Sequence, residues 1–417
     1  MTLFKTSFWT GLSTLIRLVS QFIVVKVLAV YVGPVGFALM GQFQNLITMV
    51  LTFSGNMIQT GVVKYVSEFR ENEAVKAKIL STALRVCFIS AAVIACILFF
   101  GRNRLAELIL KQANFGWLIG ILAFTLIFFI LNTLCLSILN GEQTIKRLTF
   151  ANMGSSIIGL LFTGILARYF GLKGALLALV LSQSIVFFFT LSLVWRSPWF
   201  KKSNFNQKMD RDSLIKLLKF AMMAITSALM LPTVQIIIRE HIAHVLSWQD
   251  AGYWQAVTRI SDAYLLLITS TLSVYYLPKL SSLQSNHDIK REIYKAYKVI
   301  LPLVFALALI IFLFKKTIIL ILFSPQFMAV APLFLFQLLG DVFKIGSWLV
   351  GYTFLAKAMT KLFICSEVIF SISYCLLVFV FTKYFGLMGV TMAFALNYLL
   401  YWGFMGVVFE NINGIQV

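Results

Sequence analysis

The chain has 417 residues, 60% of them hydrophobic and only 12% charged, with a mean hydropathy of +0.92. A soluble domain carries about 25% charged residues, so these values exclude a soluble protein and point to an all-α integral membrane protein. The formal net charge of +20 sits in the loops between apolar runs, which fits a positive-inside bias and anionic lipid headgroups and excludes nucleic acid as the partner.

Apolar runs of about 20 residues mark membrane spans. Taken in chain order they predict spans over 7–31, 36–62, 79–101, 115–139, 148–169, 174–195, 217–240, 251–277, 296–314, 330–356, 362–383 and 387–410. That is twelve. The first run is too long for a signal-peptide core and has no small-residue cleavage site, so it reads as a retained span. With the N-terminus in the cytoplasm, 21 of the 35 Lys and Arg fall on the cytoplasmic side and 9 opposite, with five inside spans. Both termini are therefore expected inside.

A repeat runs through the chain. Residues 168–174, RYFGLKG, match residues 383–389, KYFGLMG, at an offset of 215, and the same offset carries Lys64 onto Lys279 and Lys146 onto Lys361. The chain reads as two six-helix lobes, a parallel tandem repeat around a central cavity, as transporters are built. The lobes are residues 1–195 and 217–417, with a basic cytoplasmic linker at 196–216.

Ionisable residues inside spans are expensive and tend to face a water path or a partner. Arg17 is near the middle of the first span. In the eighth, Gln255, Thr258, Asp262, Thr269 and Ser273 share an arc of about 60° at 100° per residue, with Arg259 beside it. In the tenth, Gln337, Asp341, Lys344 and Trp348 share one face. In the second, Gln42, Asn45, Thr52, Asn56 and Gln59 form an amide-rich face. Packing between membrane helices uses the same amides, and Arg259 and Asp262 are close enough to pair with each other. There is no phosphate-binding glycine loop, zinc spacing or nucleophile elbow, so no catalytic residue, cofactor or metal is expected. His241 and His244 read as a helix end rather than a metal site. Pro232 is expected to kink the seventh span.

The stretch 254–265, WQAVTRISDAYL, followed by 274–280, VYYLPKL, resembles Wzx-type flippases. So do 7–10, SFWT; 28–36, LAVYVGPVG; 64–66, KYV; and 338–344, LLGDVFK. The pieces lie in order over essentially the whole chain. These flippases of the bacterial inner membrane handle O-antigen units and enterobacterial common antigen lipid III, within the multidrug/oligosaccharidyl-lipid/polysaccharide exporter superfamily. The resemblance implies alternating-access movement of undecaprenyl-diphosphate-linked oligosaccharide across the lipid bilayer, with no nucleotide hydrolysed. It also implies a periplasmic polymerase and chain-length regulator as downstream partners, and cavity cations at Arg17, Lys64, Arg259 and Lys344. Arg17 stands where family members place Lys, which keeps the charge and changes its geometry. The expected substrate-binding set is Arg17, Gln42, Asn45, Asn56, Lys64, Arg259, Asp262, Asp341 and Lys344. Arg17, Arg259 and Lys344 would hold the diphosphate and Gln42, Asn45 and Asn56 would meet the sugars, while Asp262 and Asp341 would screen those cations or carry a proton. A cation-coupled drug exporter of the same superfamily and a membrane polymerase or glycosyltransferase are the competing readings.

Overall fold

A computed structural model describes residues 3–197, 199–219, 221–283, 285–357 and 359–410. Among them there are helices and no strand. The long helices are α1 (Leu3–Tyr31), α2 (Gly33–Ser54), α3 (Gln59–Glu68), α4 (Glu73–Leu110), α5 (Gly116–Gly141) and α6 (Ile145–Trp195). They are followed by α7 (Arg211–Lys219), α8 (Ala221–Val245), α9 (Trp248–Thr271), α10 (Leu277–Ser282), α11 (Asn286–Leu313), α12 (Lys315–Leu322), α13 (Phe334–Ala356) and α14 (Thr360–Glu410). Among the described residues, eight helices are long and apolar enough to cross a membrane. Two of these, α6 and α14, are pairs joined at a kink. With α8 and α9, which are long but more polar, the spans number twelve, as expected.

The repeat is written into the backbone. Helices α2 and α9 start at Gly33 and Trp248, which the repeat offset superimposes, and α6 and α14 match at both ends in the same register. At the two kinks, Gly171 has φ 54° and ψ −133°, and Gly386 has φ 56° and ψ −140°. Only glycine adopts this region at little cost. Three residues on, a Cβ on Gly174 would sit 1.9 Å from the Leu166 carbonyl oxygen, and one on Gly389 would sit 2.3 Å from that of Phe381. The repeated FGLxG is thus a hairpin that needs both of its glycines.

Each half also breaks its second span at a matching place. In the first, α2 stops at Gly55, and a 3-10 turn, Asn56–Ile58, leads into α3. In the second, a π turn, Leu272–Tyr276, separates α9 from α10. A break inside a membrane frees backbone groups that must find partners. Ser90 of α4 supplies one, donating to the Ser54 carbonyl at 2.6 Å.

The chain divides into two compact units. One comprises Met1–Val32 and Leu39–Pro232, the other Gly33–Ala38 and Thr233–Val417. In the first, α1 packs on α6, and α5 packs on α3, α4 and α6. Cys135, Leu139, Ala151, Phe187 and Val194 form part of its core. In the second, α13 packs on α11 and α14, around a core that includes Leu272, Ile293, Ile345, Leu349, Phe354 and Met405. The outer faces carry large apolar side chains. Phe100 is 85% exposed and Phe124 71%, as a surface facing lipid should be. Pro232 lies inside α8, where the unit boundary also falls.

Helix α4 has 38 residues, or about 57 Å at 1.5 Å per residue. It therefore overshoots a hydrocarbon core of about 30 Å, and its first turns are outside. There Lys76, 1% exposed, sits between Glu73 at 2.9 Å and Glu142 at 3.1 Å and donates to the Arg70 carbonyl at 3.2 Å. The segment from Lys201 to Asp210 is strapped to the same turns. Ser81 donates to the Asn204 carbonyl at 3.0 Å and accepts from the Gln207 amide at 2.9 Å. Thr82 accepts from the Asp210 amide at 3.1 Å, and Lys201 pairs with Glu73 at 3.6 Å. The hydrogen bond from Lys76, aided by Asn204 and Lys201, holds Glu73 below the ordinary carboxylate range.

Candidate functional site

In the second unit the polar residues gather on α8, α9, α13 and α14. Ser247 caps α9 by accepting from the Asp250 amide at 3.0 Å, and the stretch from Ala251 to Val257 is buried. Arg239 of α8 is fully buried. Its guanidinium donates to Gln255 and lies over the Trp254 ring at 5.5 Å. The charge count sets Arg239, one residue from the end of the predicted seventh span, among the nine cations on the external side. The helix continues to Val245 and carries Arg239 into the interior, where Gln255 and Trp254 receive it.

Asp341, also fully buried, accepts from the Tyr264 hydroxyl at 2.9 Å and from the Gln337 amide at 3.4 Å. One turn later comes Lys344. Its ammonium lies over the Trp348 ring at 4.9 Å and over the Tyr398 ring at 5.7 Å. Among the described residues it forms no ion pair, although Asp262, Asp341 and Glu367 are all within Coulombic reach. Asp262 also acts on Arg259. The face predicted from Gln337, Asp341, Lys344 and Trp348 is therefore real, and Arg259 and Asp262 belong to the same charged neighbourhood. Glu367 was missed. It is an acid inside the predicted eleventh span, and the rule that flagged Asp341 applies to it equally.

In the first unit the predicted residues are distributed along four segments. Arg17 is exposed on α1. Gln42 and Asn45 are buried on α2, 1% and 9% exposed. Asn56 is in the 3-10 turn and accepts from the Gln59 amide. Lys64, on α3, lines an open cavity of 580 Å³. Helix α3 contributes Gln59, Thr60 and Lys64 to its wall, α5 contributes Thr133, Ser137 and Asn140, and α6 contributes Asn152. The sequence reading singled out the α3 side of this cavity and not the α5 and α6 side. Isolated amides and hydroxyls in apolar spans give no periodic signal of their own.

The charged neighbourhood has no counterpart in the first half. One repeat earlier in the chain, the places of Arg259, Asp262, Asp341 and Lys344 are taken by Gln44, Ile47, Leu126 and Phe129. Likewise Gln42 and Asn45 map onto Val257 and Ile260. The fold repeats and the polar faces do not. Among the described residues no group of three His, Cys, Asp or Glu could hold a metal. His241 instead bonds Thr382 at 2.7 Å and lies 4.4 Å from the Phe379 ring.

Residues 13–332 match the family model described as polysaccharide biosynthesis protein. The chain belongs to that family. Within it, the chain is 31% identical over 413 residues to the lipid III flippase of Escherichia coli (strain K12), covering 98% of each. The flippase resemblance read from the sequence is borne out by that full-length similarity. Among solved structures, the chain resembles a multidrug resistance MATE family transporter of the MOP superfamily in its inward-facing conformation. The TM-score is 0.78 at 13% identity, over 97% of this chain and 96% of that one. It also resembles the lipid II flippase MurJ in its inward closed conformation, with TM-score 0.70 at 16% identity, over 98% and 87%. At such identities these likenesses establish the fold. This member of the polysaccharide biosynthesis protein family is thus a multi-pass membrane protein with a transporter architecture.

Proposed function

We propose that the chain is a flippase for undecaprenyl-diphosphate-linked oligosaccharide, moving it from the cytoplasmic to the periplasmic leaflet of the bacterial inner membrane by alternating access. The observation that carries this reading is the similarity to the lipid III flippase along 98% of both chains. Physical chemistry supports it. A diphosphate cannot cross hydrocarbon bare, and Arg and Lys give it charge-assisted hydrogen bonds. Lys344, which lies over two aromatic rings and forms no ion pair among the described residues, is a cation suited to such a group. Arg259 and Arg17 take the same role. Gln42, Asn45 and Asn56 serve sugar hydroxyls, and Lys64 serves the head group near the basic loops. Asp262 and Asp341 keep stray anions from the cations or carry a proton.

In this reading both termini are cytoplasmic, residues 1–195 and 217–417 are the moving lobes, and 196–216 link them. The delivered cargo passes to a periplasmic polymerase and its chain-length regulator. The test is Arg259→Ala, scored by surface polysaccharide complementation at matched protein level. Full activity removes Arg259 from the site.

A second reading, a cation-coupled drug exporter, draws on the MATE likeness and on the carboxylates Asp262, Asp341 and Glu367. It predicts efflux of cationic dyes by the wild-type protein and no movement of lipid-linked sugar.

A further inference from the structure

We propose that the cavity between α3, α5 and α6 is a glycan subsite, in which Thr133, Ser137, Asn140 and Asn152 bind the hydroxyl and acetamido groups of the oligosaccharide beside Lys64. The proposal rests on the flippase reading and names where the sugar part of the cargo is held.

The cavity has the size of a ligand site, 580 Å³ against about 300–1,000 Å³ for such sites in general. Seven of its ten lining residues carry polar side chains, and among them Thr133, Ser137 and Asn152 lie inside predicted spans, where polarity is costly. Thr133 and Ser137 spend their protons on the Ile130 and Thr133 carbonyls, each at 2.9 Å, so their oxygens are left as acceptors. The side-chain amides of Asn140 and Asn152 make no hydrogen bond to any described residue, and both open onto the cavity. Each offers two donors and an acceptor. One cation among several neutral donors and acceptors suits a glycan better than a bare phosphate.

The repeat shows that the fold does not require this polarity. One repeat later in the chain, Trp348 stands for Thr133, Tyr352 for Ser137, Leu355 for Asn140 and Glu367 for Asn152. The second half builds the same helices with aromatic and apolar side chains at three of these four places. The first half has hydroxyls and amides there for another reason, and a hydroxyl-rich ligand supplies it. Asn140 is one residue from the end of α5, next to the basic pair Lys146 and Arg147, so the cavity opens on the side where cargo is loaded.

The experiment reconstitutes full-length protein in liposomes and measures translocation of two lipids, lipid III extracted from enterobacterial membranes and undecaprenyl diphosphate without sugar. Asn140→Leu and Asn152→Leu should each raise the half-saturating concentration of lipid III by about 3- to 10-fold, the worth of one or two neutral hydrogen bonds. Asn152→Gln should recover part of the loss, and undecaprenyl diphosphate should be handled as by the wild type. If a leucine variant does not fold, Asn140→Ser and Thr133→Val carry the same test. Variants that match the wild type on lipid III, or that lose both lipids equally, overturn the glycan subsite. A wild-type protein that moves neither lipid refutes the flippase reading itself.

Discussion

Gly171 and Gly386, equivalent positions of the two repeats, hold nearly the same backbone conformation, φ 54° and ψ −133° in one and φ 56° and ψ −140° in the other. Each lies in the middle of a 51-residue helical segment and turns it into a hairpin of two spans. Alanine at either place must enter a region that side chains avoid. Gly171→Ala and Gly386→Ala should each lower stability by about 1–3 kcal/mol, read as a drop in the thermal midpoint of detergent-solubilised protein. Unchanged midpoints would mean that the hairpins bend elsewhere.

The Lys76 and Glu142 pair is buried on both sides, with side chains 2% and 3% exposed. Removing Glu142 takes away one of the two carboxylates that Lys76 meets and leaves Glu73 at 2.9 Å, so the cost should fall short of the about 3–5 kcal/mol of an isolated buried pair. Glu142→Ala should therefore destabilise the first unit, and a double replacement of Lys76 and Glu142 by apolar residues should recover part of the loss. Thermal unfolding of the two variants decides the point.

Glu73 is held below the ordinary carboxylate range by its hydrogen bond from Lys76, with Asn204 and Lys201 assisting. A depressed folded-state value stabilises the protein above the unfolded value and loses that stabilisation as pH falls through the folded one. Glu73→Gln should be less stable than the wild type at pH 7, and the difference should shrink below the ordinary value of 4.5. Midpoints measured across pH 3 to 7 that keep a constant gap would contradict the assignment.

Lys344 has aromatic rings around its ammonium and carboxylates at longer range. Lys344→Ala should abolish surface polysaccharide complementation, and Lys344→Arg should keep a measurable part, since a guanidinium also stacks on Trp348 and Tyr398. Tyr264→Phe should act more mildly, because it removes one of the two hydrogen bonds that Asp341 receives from Tyr264 and Gln337.

Much of the architecture was legible in the chain itself. Twelve apolar runs are a direct consequence of bilayer thickness, and FGLxG recurs because a tight hairpin admits only glycine at Gly171, Gly174, Gly386 and Gly389. The face from Gln337 to Trp348 was legible because charges in an apolar helix stand out. Arg239 was not, since a cation one residue from the end of a predicted span reads as lying outside it. The strapping of residues 204–210 onto Ser81 and Thr82 was also hidden, because it uses their backbone. The α5 and α6 wall of the Lys64 cavity was hidden for a third reason: it is assembled from three helices, and no one of them is polar enough to signal it.

A flippase moves its lipid-linked oligosaccharide without altering it. The most direct measurement is translocation of radiolabelled lipid III in proteoliposomes, read with a probe that reaches only one leaflet, followed by sizing of the glycan. Label should cross to the opposite leaflet at unchanged glycan length, and Lys344→Ala should prevent the crossing. Glycan that lengthens, or label that stays in its original leaflet while a cationic dye is exported, would contradict the flippase reading.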